Sequence, residues 1–162
     1  SVMFTDGVSS SALAEALGDA VWSARISAHF AELREVIEAA GGQFVKSLGD
    51  GTMSSFPSAR SALQTAQELQ RRMQAQAEEP QLSLRIGLHT GDVVQSDGDF
   101  FGSVVNRAAR LTAIADGGEI ILSEATRAMV GTGGAFTFSG PTYETLRGFD
   151  GEHSVYRLDW RK

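Results

Sequence analysis

The sequence predicts an α+β domain in which helices pack on a sheet, and three observations carry that prediction. Two segments of about twenty residues place apolar side chains at helical spacing. Several shorter apolar runs bounded by glycine are typical of strands. The two kinds of segment are interleaved, without the strict alternation of a parallel βαβ fold. The 162 residues suffice for one domain with a sizeable core, so we expect 1–162 to form a single domain.

The first elements lead to Asp6 and to a turn rich in glycine and serine. A short strand is predicted over 1–5, ending at Asp6, and the turn follows over 7–11. The next apolar residues predict a short helix that stops at Gly18. From Asp19, which we interpret as an N-cap, a long helix extends to about residue 40. Its apolar residues recur at helical spacing and are Trp22, Ile26, Phe30, Leu33 and Ile37.

A hairpin and a second long helix come next. Strands predicted over 43–48 and 52–56 flank Gly49-Asp50-Gly51, and Asp-Gly between such runs is a strong hairpin signal. The second long helix is predicted from Ser58 to about residue 77. Its expected inward face consists of Ala62, Leu63, Ala66, Leu69 and Met73. The remaining predicted elements are strands over 82–88, 92–95 and 118–122, a helix over about 101–114, a short helix capped by Ser123 and a β-rich tail over 136–160.

Composition excludes several classes of function. The formal net charge is −6 (14 Lys and Arg against 20 Asp and Glu), which argues against a nucleic-acid partner because phosphate backbones recruit basic surfaces. The absence of cysteine excludes disulfides, thiolate metal sites and cysteine nucleophiles. No apolar run reaches membrane-spanning length and no signal peptide is present, so we expect a cytoplasmic domain without membrane contact. Because the chain begins at Ser1 rather than Met, we expect a domain excised from a longer protein.

Two carboxylates are candidate metal ligands. Asp6 ends a strand just before a helix start, where backbone N–H groups favour anions. Asp50 lies at a hairpin tip between two glycines. If both strands belong to one sheet, the two carboxylates meet at one edge and suit a Mg²⁺ ion that bridges phosphates. The alternative is that Asp6 only caps the helix and Asp50 only forms the turn.

Three further polar side chains are candidates, each with a plainer alternative. Lys46 lies on the strand that leads to Asp50, where a lysine is normally a solvated edge residue. Asn106 and Arg110 are four residues apart and share a helix face, on which they could hold a phosphate or a sugar hydroxyl. The alternative for that pair is an ordinary amphipathic helix. The three histidines lack metal-ligand spacing, and the sequence contains no serine-hydrolase elbow and no Walker A motif.

Five ordered motifs extend over nearly the whole chain and resemble the catalytic domain of class III nucleotide cyclases, in the style of the bacterial, homodimeric branch. The motifs are Phe4-Thr5-Asp6, Val45-Lys46-Ser47-Leu48-Gly49-Asp50-Gly51, Arg85-Ile86-Gly87-Leu88-His89-Thr90-Gly91, Asp99-Phe100-Phe101-Gly102 and Val105-Asn106-Arg107-Ala108-Ala109-Arg110-Leu111. The resemblance implies a ferredoxin-like core with a mixed, mostly antiparallel sheet and helices packed on it. It also implies a homodimer whose active sites lie between subunits.

The resemblance further implies an adenylate cyclase that forms 3′,5′-cyclic AMP and pyrophosphate from ATP. Asp6 and Asp50 of one subunit, with the Gly7 carbonyl, would bind two Mg²⁺ or Mn²⁺ ions. The partner subunit would read adenine with Lys46 and Asp99. Its Asn106 would orient the ribose, and its Arg110 would stabilise charge on the α-phosphate. The groups expected to bind the phosphates are the backbone amides of Gly7, Val8, Ser9, Ser10 and Ser11, together with the side chain of Arg147.

One segment departs from the family pattern. Gly7 replaces a branched residue and is expected to loosen the segment, and Ser9 stands where a glycine normally lets the backbone approach phosphate. These departures favour an alternative function, a nucleotide-binding regulatory or dimerisation module with little turnover. A diguanylate cyclase is a third possibility, but its Gly-Gly-Asp/Glu-Glu-Phe signature is absent. The six intact side chains expected to act at the site favour the enzyme.

Overall fold

The computed structural model describes residues 1–8, 10–76, 82–131 and 134–161. The described strands are β1 (Val2–Val8), β2 (Gln43–Leu48), β3 (Gly51–Ser55), β4 (Ser83–His89), β5 (Val94–Ser96), β6 (Asp99–Phe101), β7 (Ile120–Ser123), β8 (Phe138–Thr145) and β9 (Glu152–Leu158). The described helices are α1 (Ser10–Leu17), α2 (Asp19–Ala39), α3 (Ala59–Ala75), α4 (Ser103–Ala113) and α5 (Glu124–Met129). Helices and strands are therefore interleaved as the sequence predicts.

Seven strands form one sheet in the order β2-β3-β1-β4-β7-β9-β8, and β5 pairs with β6 in a separate hairpin. Within the large sheet β4 and β7 are parallel, whereas the other pairs are antiparallel. The first half of the chain has β-α-β-β-α-β connectivity, counting α1 and α2 as one connection, and its strands lie in the order β2-β3-β1-β4. This is the ferredoxin-like arrangement, so the expected core and the mixed, mostly antiparallel sheet are confirmed.

The two faces of the sheet are covered by different helices. On one face, side chains of α2 and α3 pack with alternate residues of β4, such as Leu84 and Ile86, in the largest apolar cluster. On the other face, α4 packs through Val104 and Ala108 against the β1 and β3 side of the sheet. It packs through Leu111 against β7 and β9. Because Asp6 is two residues beyond Phe4, which packs in the α4 layer, period-2 alternation places Asp6 on the α4 face.

Close backbone approach fixes α4 on the sheet. Gly87 lies in β4 beneath this helix, and a Cβ atom at Gly87 would lie 2.4 Å from the Thr112 backbone nitrogen. Thr112 is itself buried, and its hydroxyl donates to the Ala108 carbonyl at 3.0 Å. The helix that carries Asn106 and Arg110 is therefore held on β4 by a contact that only glycine permits.

Two predictions at the first elements are wrong. The first strand does not end at Asp6, because Gly7 pairs with Leu84 and Val8 with Ser83 in the ladder to β4. The N-cap of α2 is Gly18 rather than Asp19, which lies in the first turn, where its charge still favours the helix dipole.

The apolar residues of α2 differ in burial along the helix. Leu33 and Ile37 are buried, whereas Trp22, Ile26 and Phe30 are only partly buried. All five apolar residues predicted to face inward on α3 are buried, and Ser58 caps that helix by accepting from the Ser61 amide at 3.1 Å. None of the described helices combines the length and apolar character needed to cross a bilayer.

Candidate active site

Asp6 lies in the middle of the sheet, opposite a basic residue. In the ladder between β1 and β4, Asp6 is directly paired with Arg85, and the Arg85 guanidinium forms an ion pair with the Asp6 carboxylate. The Asp6 side chain keeps 30% of its surface exposed, and the Arg85 side chain keeps 27%. A second, weaker interaction joins Arg85 to the Ala113 carbonyl at the end of α4, at 3.3 Å. Arg85 therefore connects Asp6 to the helix that covers this face.

The β2–β3 hairpin brings Asp50 to the same place. Leu48 pairs with Gly51, which leaves Gly49 and Asp50 as a two-residue loop. Gly49 has φ of 62°, and type II′ turns place glycine at this first loop position. Gly51 lies against β1, where a Cβ atom would come within 2.6 Å of the Thr5 carbonyl oxygen. Both glycines that frame Asp50 are thus needed to hold the hairpin tip against the strand that carries Asp6.

Asp50 lies close enough to Asp6 for the Asp6 carboxylate to shift the pKa of Asp50. Burial, a hydrogen bond with Asp6 and the negative charge of Asp6 together raise the pKa of Asp50 to about 6, although Arg85 acts in the opposite direction. Two neighbouring carboxylates form an environment that a divalent cation would stabilise. The described residues contain no group of three His, Cys, Asp or Glu side chains able to hold a metal. This donor set therefore fits Mg²⁺ or Mn²⁺ ions that take further oxygen ligands from phosphates and water.

A second charged group is formed by Lys46 and Asp99. Lys46 Nζ donates to Asp99 Oδ2 at 2.7 Å, and the Phe100 amide donates to Asp99 Oδ1 at 2.8 Å. The hydrogen bond from Lys46, reinforced by the Phe100 amide, holds the pKa of Asp99 below its usual range. The side chains of Lys46 and Asp99 remain 36% and 27% exposed. The pair joins β2 to the β5–β6 hairpin and presents one donor and one acceptor at the surface.

Asn106 and Arg110 lie apart from the carboxylates within one chain. A cavity of about 210 Å³ beside Asp6 is lined from the helix side by Ala109, Thr112 and Ala113, and neither Asn106 nor Arg110 lines it. Asn106 is exposed and Arg110 is half-buried. The helix begins after Gly102, whose φ of 117° allows the chain to turn from β6 into α4. The sequence-predicted residues are thus present in separate groups.

The predicted phosphate-binding groups are partly described. Gly7 and Val8 belong to β1, Ser10 and Ser11 begin α1, and Ser9 lies outside the described residues. Arg147 is exposed in the loop between β8 and β9. The N-terminus of α1 therefore follows closely after Asp6, and the binding of phosphate by these amides stays a prediction.

Arg85 is the site residue that the sequence reasoning did not single out. Arg85 belongs to one of the five motifs, but its partner Asp6 is 79 positions away in the sequence. The alternation of β4 carried a signal, since Arg85 is a charged residue between the buried Leu84 and Ile86. The spacing of the histidines argues against metal binding. In the structure, His89 Nδ1 lies within 2.6 Å of the Ser123 hydroxyl.

Residues 1–159 match the model of the adenylate and guanylate cyclase catalytic domain. The chain is 36% identical over 155 residues to an uncharacterized protein of Mycobacterium tuberculosis, a match that covers 96% of this chain and 40% of that protein. It is 34% identical over 150 residues to an adenylate cyclase of Lachancea kluyveri, covering 75% of this chain and 8% of that protein.

Among solved structures, an adenylate/guanylate cyclase/hydrolase from Silicibacter pomeroyi superposes with a TM-score of 0.81 at 30% identity, covering 97% of this chain and 94% of that chain. The chain thus spans well under half the length of the two named sequence relatives and nearly all of this solved domain. The family match extends over the strands and the helix that carry both charged groups. This chain belongs to the family of adenylate and guanylate cyclase catalytic domains.

Proposed function

We propose that this chain is an adenylate cyclase domain that forms 3′,5′-cyclic AMP and pyrophosphate from ATP at sites shared between two copies. The observation that carries the proposal is the presence of two separate charged groups, Asp6 with Asp50 and Lys46 with Asp99. The first group has an excess of negative charge, and the second is a neutral pair open to solvent. A nucleotide that binds the first group through its phosphates and the second group through its base requires both groups.

The Lys46–Asp99 pair supports adenine over guanine. Adenine presents an exocyclic amine, which donates hydrogen bonds, next to a ring nitrogen that accepts them. The Asp99 carboxylate accepts from such an amine and the Lys46 ammonium donates to such a nitrogen. Guanine carries a carbonyl oxygen in place of the amine, so its oxygen would face the Asp99 carboxylate. The lowered pKa of Asp99 keeps this carboxylate ionised, and therefore an acceptor, at neutral pH.

The reaction is an in-line attack of the ribose 3′-oxygen on the α-phosphorus. A bond forms between these two atoms, the bond from the α-phosphorus to the bridging oxygen breaks, pyrophosphate leaves, and the proton of the 3′-hydroxyl is released to solvent. Divalent ions bound by Asp6, Asp50 and the Gly7 carbonyl would acidify the 3′-hydroxyl and neutralise the triphosphate. Asn106 positions the ribose, and Arg110 supplies donors to the charge that develops on the α-phosphate. Arg147 and the amides that follow Asp6 bind the phosphates.

Exposed apolar side chains support a homodimer. Val94 and Phe101 are directly paired across the β5–β6 hairpin and are 62% and 49% exposed. Leu48, near the tip of the β2–β3 hairpin, is 47% exposed. The contact between β2 and β6 brings these hairpins together around Lys46 and Asp99. A second copy that covers this apolar surface would place its own Asp6 and Asp50 near the base-reading pair.

The test is incubation of the purified chain with ATP or GTP and with Mg²⁺ or Mn²⁺, scoring the cyclic product. We expect cyclic AMP from ATP and much less cyclic GMP from GTP, with no product from the Asp50→Asn variant. Nucleotide binding without a cyclic product under every condition would contradict the enzyme and support the regulatory alternative. Faster formation of cyclic GMP would contradict the assignment of Lys46 and Asp99.

A further inference from the structure

An arginine side chain of α4 contacts the loop between β8 and β9 and the start of β9. Arg107 follows Asn106 on α4, but it lies on the side of the helix that faces away from the cavity beside Asp6. Its guanidinium stacks over the Phe149 ring, 4.5 Å from the ring centroid. Its Nη1 donates to His153 Nδ1 at 2.9 Å. We call Arg107, Phe149 and His153 the arginine clamp.

The contacts of the clamp are directional. Arginine only donates hydrogen bonds, so Arg107 Nη1 is the donor and His153 Nδ1 the acceptor in this contact. Phe149 and His153 meet edge to face, with ring centroids 6.2 Å apart. Burial, and to a smaller extent the charge of Arg107, lowers the pKa of the neighbouring His89 to about 4. These contacts hold Arg107 in one orientation beneath the loop.

Residues 146–151 of this loop are held at both ends. Leu146 is buried in the same apolar cluster as Leu111 of α4, and the Phe149 amide donates to the Leu146 carbonyl at 2.9 Å. Arg147 lies between these two attached residues and is exposed. The backbone that carries Arg147 is therefore fixed relative to the helix that carries Asn106 and Arg110.

We propose that Arg107 is a positioning residue for the triphosphate. By clamping the loop to α4, it sets the distance between Arg147 and the Asn106–Arg110 face, so that one subunit presents its phosphate-binding and ribose-binding side chains as one rigid unit. This inference rests on the proposed function. It assigns Arg107 no contact with the substrate, and its effect passes through Arg147.

A double-mutant cycle between Arg107 and Arg147 tests this dependence. The probes are 3′-deoxy-ATP and 3′-deoxy-ADP, which lack the attacking hydroxyl, and the readout is the Kd from calorimetry with Mg²⁺. We expect Arg107→Leu and Arg147→Ala each to weaken 3′-deoxy-ATP about tenfold, and 3′-deoxy-ADP much less. In the Arg147→Ala background, Arg107→Leu is expected to add nothing.

Two matched variants separate positioning from general stability. His153→Asn keeps an acceptor for Arg107 and is expected to preserve the triphosphate affinity, whereas His153→Leu removes that acceptor and is expected to resemble Arg107→Leu. Arg127→Leu removes another stacked arginine, which lies 4.4 Å from the Phe138 ring centroid, and it should leave the ratio of the two Kd values unchanged. Hydrogen exchange at the Phe149 amide should accelerate in Arg107→Leu and His153→Leu only.

Specific outcomes would overturn the inference. Losses at Arg107 and Arg147 that multiply would show that Arg107 acts independently of Arg147. Unchanged exchange at Phe149 in Arg107→Leu would show that the clamp does not hold the loop. A wild-type chain that binds neither nucleotide would overturn the proposed function as well, and this result is distinct from binding with multiplying losses.

Discussion

The two charged groups differ in how they balance charge. Asp6 forms an ion pair with Arg85, and burial, a hydrogen bond with Asp6 and the negative charge of Asp6 raise the pKa of Asp50 to about 6. Lys46 and Asp99 neutralise each other at 2.7 Å, and their hydrogen bond lowers the pKa of Asp99. The first group carries one negative charge more than Arg85 offsets, whereas the second group is neutral. A reaction that neutralises phosphates at one end of its substrate and recognises a base at the other requires such a difference.

The largest effect is expected at the carboxylates. Asp6→Asn or Asp50→Asn removes one of the two charges proposed to bind divalent ions, and we expect cyclase activity to fall by about a thousandfold or more. Initial rates of cyclic AMP formation at saturating Mn²⁺ measure this. Circular dichroism serves as the control for folding. An Asn variant with more than a tenth of wild-type activity would contradict the metal-ligand assignment.

A smaller effect is expected at the base-reading pair. Lys46→Ala leaves the Asp99 carboxylate without its partner, so we expect the KM for ATP to rise about tenfold to a hundredfold and the preference for ATP over GTP to weaken. The matched control is Arg72→Ala, which breaks the exposed helical ion pair with Glu68 at 2.9 Å and should change neither quantity. Equal effects of the two substitutions would contradict recognition of the base by Lys46.

The buried His29 is expected to make the free energy of unfolding depend on pH. Burial, followed by the Arg25 charge, lowers the pKa of His29 to about 4, so the unfolded chain binds more protons between pH 4 and 6.5. The free energy of unfolding should therefore decrease as the pH falls from 6.5 to 4, by about 3 kcal/mol from His29. Denaturant titrations of His29→Leu against wild type at pH 7.5 and 4.5 measure it. A difference that does not depend on pH would contradict the low pKa.

The carboxylate group should contribute with the opposite sign. The pKa of Asp50 is raised in the folded chain, so its stabilising contribution is complete below pH 4 and is lost as the pH rises to about 6. Because Asp50 is partly exposed, we expect Asp50→Asn to be more stable than wild type by only about 1 kcal/mol at pH 7.5 in EDTA.

At pH 4 this difference should vanish, and saturating Mg²⁺ should reverse it at pH 7.5, since the ions stabilise only the wild-type pair. Urea titrations under the three conditions measure it. The subtraction of the two proteins removes the contribution of His29. A variant that is less stable than wild type at pH 7.5 in EDTA would contradict the repulsion between Asp6 and Asp50.

Local sequence signals predicted the hairpin and α3 well. Gly49-Asp50-Gly51 specifies a two-residue turn, and Ser58 caps a helix with a regular apolar stripe, since both depend on neighbours in the chain. The end of β1 was wrong because strand length depends on pairing with β4, which is distant in sequence. The half-exposed Trp22 shows the same limit, because periodicity gives the apolar side of a helix but not how far its neighbours extend.

For the site, the residue types were predictable and the contacts were not. The resemblance assigned Lys46 and Asp99 to one base-reading pair, but their direct ion pair depends on the short strand β6, which was not predicted. Arg85 was not singled out because its role depends on its register opposite Asp6. The arginine clamp likewise joins Arg107 to side chains that are 42 and 46 positions away in the sequence, and no local pattern predicts these contacts.

The measurement that tests the central claim most directly is complementation between two inactive variants. Asp6→Ala lacks a carboxylate and Arg110→Ala lacks the predicted transition-state donor, so each homodimer is expected to be inactive. In a heterodimer, one of the two shared sites combines the intact residues of both chains. We predict that an equimolar mixture regains about a quarter of wild-type cyclic AMP formation, given random pairing. A mixture as inactive as either variant alone would contradict a site shared between two copies.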